Sequence, residues 1–348
     1  MRTTKFFLAA LFSVAIASCG GGGGSSSTVN IPTAAVKITT SNAAAVAKAS
    51  ITPTQGMVNT GSGQAGVVGV VTQASGHSLS VLDISLAEFN RARSLKFSPA
   101  VAGVIPSVTL YCTTSGTVTG SVQDLDSSGT FTVGDILTMT FHNCVEPTVS
   151  GGSNTTNGIA TFSITAASNT LGQNITPFSA AFTLTFSNFT SKDNVTNIID
   201  TINGDISFST NNDGTNTTGM MSGASLRMDS SVDGSFLLTN YNFSFTEATV
   251  VTLTSPYSYS VNMTVASTVA NGSVTITTTT PFTGVGVSDP TAGVMVITGA
   301  NNSTLTLTSN ADGIHVGIVV DEDGVGGPTA PVTITNPATG LDYTWAEL

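Results

Sequence analysis

From Pro106 to the C-terminus, apolar and polar residues alternate with a period of two. Phe182, Leu184 and Phe186 interleave with Thr183, Thr185 and Ser187, and Ile202, Ile206 and Phe208 continue one face past Gly204. Ala224, Leu226 and Met228 make another such face, followed by Tyr241, Phe243 and Phe245. Tyr257, Tyr259, Val261, Met263 and Val265 form the longest run, and Leu305, Leu307, Ile314, Val316, Ile318 and Val320 close the series. The intervening dipeptides Asn203-Gly204, Asp213-Gly214, Asp233-Gly234, Asn271-Gly272 and Asp312-Gly313 have hairpin chemistry. Asn203-Gly204 falls inside an alternating run, which also fits a bulge. The pattern predicts an all-β fold over residues 105–348. It is a large, mainly antiparallel meander curled into a barrel, half-barrel or sandwich, with one short N-terminal helix. No strict internal repeat is visible, which disfavours a solenoid or propeller.

That helix is expected where the period changes. Leu82, Leu86 and Phe89 lie at i, i+4 and i+7, Ser85 and Glu88 fit a capping box, and Arg91, Arg93 and Lys96 sit near the C-terminal end. Val67–Val71 reads as a buried strand, so residues 58–104 form a strand-and-helix segment packing on the β domain. Upstream, Gly20–Ser27 is a flexible tether, and Thr28 to about Met57 continues it loosely with no periodic apolar face.

The N-terminus carries an address. Arg2 and Lys5 precede a short apolar run, Phe6–Ala17, that is shorter than the roughly 20 residues a spanning helix needs. Residues 1–18 therefore read as a cleaved signal peptide. Ile16-Ala17-Ser18-Cys19 resembles the bacterial lipobox, which implies cleavage before Cys19, diacylation of its thiol and acylation of its new amino group. Gly20, in place of Asp, implies by the same resemblance sorting to the outer membrane. No later stretch reaches about 18 uninterrupted apolar residues, so the expectation is a chain anchored to the membrane through residues 19–57 and not spanning it.

Composition sharpens this picture. Only 8% of the 348 residues are charged, against about 25% in ordinary domains, while roughly 100 are Ser or Thr. Threonine, β-branched and polar, suits the solvent face of a strand. Signal removal lowers the basic residues from nine to seven against twenty acidic ones, moving the net charge from −11 to −13. No Lys or Arg follows Arg227. A nucleic-acid partner is excluded by the missing basic patch. With Cys19 acylated, Cys112 and Cys144 remain, and an even pair in an oxidising envelope reads as a disulfide. His142, two residues before Cys144, is too little for a metal or thiol site.

One constellation carries chemistry. Asp124-Leu-Asp126-Ser-Ser128-Gly129-Thr130-Phe-Thr132-Val-Gly-Asp135 matches the twelve-residue calcium loop, with acceptors at positions 1, 3, 5, 9 and 12 and glycine at 6. Asp124, Asp126 and Ser128 are expected to offer side-chain oxygens, Thr130 its carbonyl, Thr132 a direct or water-mediated contact, and Asp135 the closing carboxylate. Two departures stand out: position 12 is Asp where Glu is usual, and the flanks read as strands. A polar hairpin loop is the competing reading. Asp321-Glu322-Asp323-Gly324 lacks later acceptors in register and reads as an exposed turn.

Together, Cys112, the Asp124–Asp135 loop, Phe141, Cys144 and the late Tyr343-Thr344-Trp345 resemble a group of uncharacterised Gly-rich proteobacterial lipoproteins with an Asp-rich loop between two Cys and a Thr-rich β domain. That resemblance brings no activity with it. Serine-nucleophile, zinc-protease and phosphate-loop motifs are absent from the sequence, and His315 near Asp312 reads as a solvent-face histidine. No catalytic residues are assigned. The expected function is a non-enzymatic, lipid-anchored β module for a hydrophobic ligand or envelope partner, with calcium as its one candidate cofactor. The alternative is a hydrolase acting on envelope or extracellular polysaccharide through a carboxylate pair.

Overall fold

The alternation becomes strands almost wherever it is regular. In a computed structural model that describes residues 29–58, 104–128, 132–147, 152–168, 177–249, 254–286, 288–324 and 329–348, one helix, α1 (Ala43–Val58), precedes fifteen strands. These are β1 (Val104–Tyr111), β2 (Ser115–Gln123), β3 (Ile136–Pro147), β4 (Ser153–Ala167), β5 (Phe178–Asp193), β6 (Ile199–Asn212), β7 (Asn216–Ser230) and β8 (Gly234–Ala248). They continue as β9 (Pro256–Ser267), β10 (Gly272–Val285), β11 (Ala292–Thr298), β12 (Thr304–Ser309), β13 (His315–Asp321), β14 (Val332–Ile334) and β15 (Tyr343–Thr344). Each of β1–β13 pairs antiparallel with the next, and β15 returns to pair with β13. The path ends at β1 and β14 without closing. A mainly antiparallel meander is therefore the observed fold, in an open form.

The inward face is filled by aromatic rings that meet across strands. Phe162, Phe182, Phe208, Phe245, Phe243, Tyr259, Phe282 and Trp345 follow one another with centroids 4.9–6.5 Å apart. All eight are buried. Rings at these separations add packing energy to the area they bury. Polar residues face outward in cross-strand ranks, such as Thr298 opposite Thr304 and Thr239 opposite Thr264.

Bulges bend the strands at corresponding places. On β3 and β5, Asn143 (φ 46°) and Asn188 (φ 47°) adopt left-handed backbone, and the register shifts at both. The Asn143 amide donates to Asn157 Oδ1 at 2.7 Å, and the Asn188 amide donates to Asn203 Oδ1 at 2.6 Å. Each acceptor precedes a glycine, Gly158 or Gly204, at which a Cβ would lie within 2.5 Å of a neighbouring backbone oxygen. The hairpins β3–β4 and β5–β6 thus repeat one device, which the alternation does not reveal. Asn203-Gly204 is a bulge and not a turn.

The loose tether expected from Thr28 to Met57 is corrected by α1. From Ala49 to Thr54 this helix is buried around its whole circumference, so that stretch has no polar face and leaves no amphipathic stripe in the sequence. Two of its hydroxyls are satisfied within the helix, Ser50 donating to the Val46 carbonyl and Thr54 to the Ser50 carbonyl. Ahead of it the chain runs beside β10, with the Val36 amide bonded to the Ser273 carbonyl, and Ile38 is buried with its amide on Ser303 Oγ. Lys48 reaches Asp233 at 3.7 Å. The signal peptide, Cys19, the Val67–Val71 strand and the expected helix around Ser85–Lys96 lie outside the described residues. Among the described residues no helix is long and apolar enough to cross a membrane.

Candidate metal centre

β2 and β3 pair up to Gln123 opposite Ile136, so the hairpin holds the two ends of the Asp-rich loop side by side. Asp124 and Asp135 are fully buried, whereas Asp126 is exposed. Three carboxylates spread over twelve residues converge, one oxygen of each lying within 4.8 Å of the others. Strands, not helices, flank the loop, as its sequence predicts.

Backbone and hydroxyl donors fix this convergence. Asp135 Oδ1 accepts from the Leu125 amide at 2.9 Å, and Oδ2 accepts from the Thr132 amide at 2.7 Å. The Ser128 amide is shared between Asp124 Oδ1 at 3.1 Å and Asp126 Oδ1 at 3.0 Å. The Thr132 hydroxyl lies 2.8 Å from Asp126 Oδ2 and 3.0 Å from Asp135 Oδ2, bridging the two acids. Ser127 takes left-handed backbone (φ 57°), winding the chain tightly enough to bring alternate residues together. Hydrogen bonds from the Ser128 and then the Thr132 hydroxyl, with a further one from the Ser128 amide, lower the Asp126 carboxyl from 3.8 to about 2. It is thus ionised across the physiological range, as a hard-cation ligand must be. Thr130, expected to contribute its carbonyl, lies with Gly129 and Phe131 outside the described residues. Asp124, Asp126, Ser128, Thr132 and Asp135 offer only oxygen donors, the ligand type of hard cations and not of a soft metal.

Cys112 and Cys144 are bonded as a disulfide, with their Cα atoms 5.5 Å apart. Glu146 stands beside them, Oε1 3.9 Å from the Cys144 sulfur and Oε2 accepting from the Thr113 amide. With both sulfurs bonded to each other this trio offers no thiolate to a metal. The second acidic run is engaged by backbone amides. Asp321 Oδ1 accepts from the Gly324 amide, Glu322 from the Thr40 amide and Asp323 Oδ2 from the Thr329 amide. His315 Nδ1 lies 2.6 Å from Asp312 Oδ2 at the β12–β13 turn, part-exposed to solvent.

Sequence reasoning passed over Asp289. Burial raises its carboxyl from 3.8 to about 6, and Oδ1 is enclosed with no hydrogen-bond partner. Its signal is tertiary: the turn after β10 is pinned by the Tyr257 hydroxyl, which donates to the Ser288 carbonyl at 2.8 Å. An open hollow of about 550 Å³ lies at the ends of β4–β7, lined by small residues including Ala166, Ala181, Ser209 and Gly219 and by no titratable side chain. The chain matches no known family model, no curated protein and no solved structure.

Proposed function

We propose that this chain is a bacterial lipoprotein, held in the outer membrane through acylated Cys19, whose β domain is a non-enzymatic binding or structural module steadied by calcium in the β2–β3 loop. The observation that carries the reading is the convergence of Asp124, Asp126 and Asp135. Two buried carboxylates and one exposed one converge in a tight loop. A divalent cation relieves the mutual repulsion of such a trio while meeting their demand for hard ligation.

The aromatic filling of the inward face supports partner binding over carriage of an acyl chain, because a cargo site needs interior volume that these rings occupy. Recognition then falls to the turns and the Thr-rich outer face. Likeness to the Gly-rich proteobacterial lipoproteins supports the same placement. The test is native mass spectrometry of protein purified from the envelope. The expected species carries acyl mass on Cys19 and bound calcium. A mature chain without acyl mass overturns the anchor, and one that stays calcium-free in millimolar calcium overturns the metal.

A further inference from the structure

A rim near the C-terminus carries apolar surface that the core does not use. Ile314, Val316, Ile318 and Val320 share one face by their spacing, yet only the last three are buried. β13 begins at His315, and Ile314 remains 54% exposed in the preceding turn. Its carbonyl accepts from the Trp345 amide at 3.1 Å, which ties the turn to the C-terminal segment. Leu341, 62% exposed, adjoins Asp342, whose Oδ2 accepts from Asn310 Nδ2 at 2.9 Å. On the other side the β10–β11 turn approaches, so that a Cβ on Gly313 would stand 3.4 Å from the Asp289 carbonyl oxygen. Val285, 46% exposed, closes that turn by accepting from Ser288. Three neighbouring turns thus present Val285, Ile314 and Leu341 interspersed with Asp289, Asp312 and Asp342.

Charge decides what fits there. The described basic side chains, Lys37, Lys48, Lys192 and Arg227, belong to the opposite end of the strands or to the segment packed against it. Phosphate-bearing partners are repelled by three carboxylates, and a purely apolar partner leaves those carboxylates without a counter-charge. Aliphatic contacts flanked by carboxylates with no described Lys or Arg beside them, Asp312 having His315 Nδ1 at 2.6 Å, complement Lys or Arg beside Leu or Ile. We propose that this rim is a docking surface for a basic, amphipathic polypeptide segment of another protein. The inference rests on the reading of the β domain as a binding module.

The full mature chain carrying Cys19→Ser, which needs no detergent, is titrated with a labelled synthetic helix of Leu and Lys at amphipathic spacing. A Leu/Glu helix of the same spacing serves as comparison. The expected result is saturable, salt-sensitive binding of the Lys helix alone, weakened about tenfold in Ile314→Ser/Leu341→Ser. Val195→Ser/Val232→Ser, which removes exposed aliphatics at the opposite end, should bind as wild type does, and thermal unfolding checks that each variant is folded. Binding that survives the rim substitutions but falls with the opposite-end pair overturns the rim and leaves the module reading intact. Equal binding of both helices, or of neither, also overturns the rim, whereas the module reading is judged separately by what co-purifies from the envelope.

Discussion

The Tyr241 hydroxyl donates to the Asp205 backbone carbonyl at 2.6 Å, crossing over Gly223 on the strand that separates them. A Cβ on Gly223 would stand 2.2 Å from that hydroxyl oxygen, so the glycine is the condition of the bond. Burial, reinforced by the Asp205 charge, holds the phenol far above its usual range and keeps it a donor. Tyr241→Phe should cost about 1 kcal/mol, the net value of one such bond. Gly223→Ala should cost more, because it displaces the ring as well. Denaturant midpoints check both, and a Gly223→Ala protein as stable as wild type refutes the role given to the glycine.

Cys112–Cys144 spans 32 residues and closes β1 against β3 around the β2 hairpin. Chain entropy for a loop of this length puts its contribution at about 3–4 kcal/mol. Cys112→Ala/Cys144→Ala should lower the denaturant midpoint accordingly. No change on reduction would mean that the β1–β2 and β2–β3 ladders carry the region unaided.

Two carboxylates should leave opposite marks on the pH dependence of stability. Burial raises Asp289 from 3.8 to about 6, so its stabilising contribution is complete below pH 3.8 and is lost as pH rises through about 6. Asp289→Asn should therefore flatten the wild-type curve between those values and raise the midpoint at neutral pH. Asp126, lowered from 3.8 to about 2 by its hydroxyl partners, contributes stability above pH 3.8 that is lost as pH falls towards 2. Thermal midpoints across this range, with Asp126→Asn alongside, separate the two.

Local features of the fold were legible in the sequence, and distant ones were not. The run from Tyr257 to Val265 lies on β9 as its alternation predicts, because a face buried along its length prints period two on the chain. The Asp124–Asp135 spacing was equally legible, since a hairpin loop assembles itself from neighbours. α1 was hidden because burial all round from Ala49 to Thr54 erases amphipathicity there, and Pro53 with its hydroxyl-bearing neighbours suppresses helix propensity. Ile314 kept the spacing of a core residue although the turn at Asp312 carries it outside, with its own amide on Asp312 Oδ1. The raised Asp289 carboxyl and the Tyr241–Asp205 bond depend on strands brought together across the sheet, and no window of residues records them.

The β2–β3 loop as a calcium site is the claim most directly open to measurement. Thermal unfolding of the full mature protein, followed with excess chelator and then with millimolar calcium, is the decisive comparison. Calcium at a hundredfold its Kd should stabilise the fold by about 2.7 kcal/mol. That predicts a midpoint several degrees higher for wild type and a much smaller rise for Asp126→Asn, whose exposed carboxylate is a proposed ligand and lies outside the core. A wild-type midpoint that does not move between chelator and millimolar calcium contradicts the site.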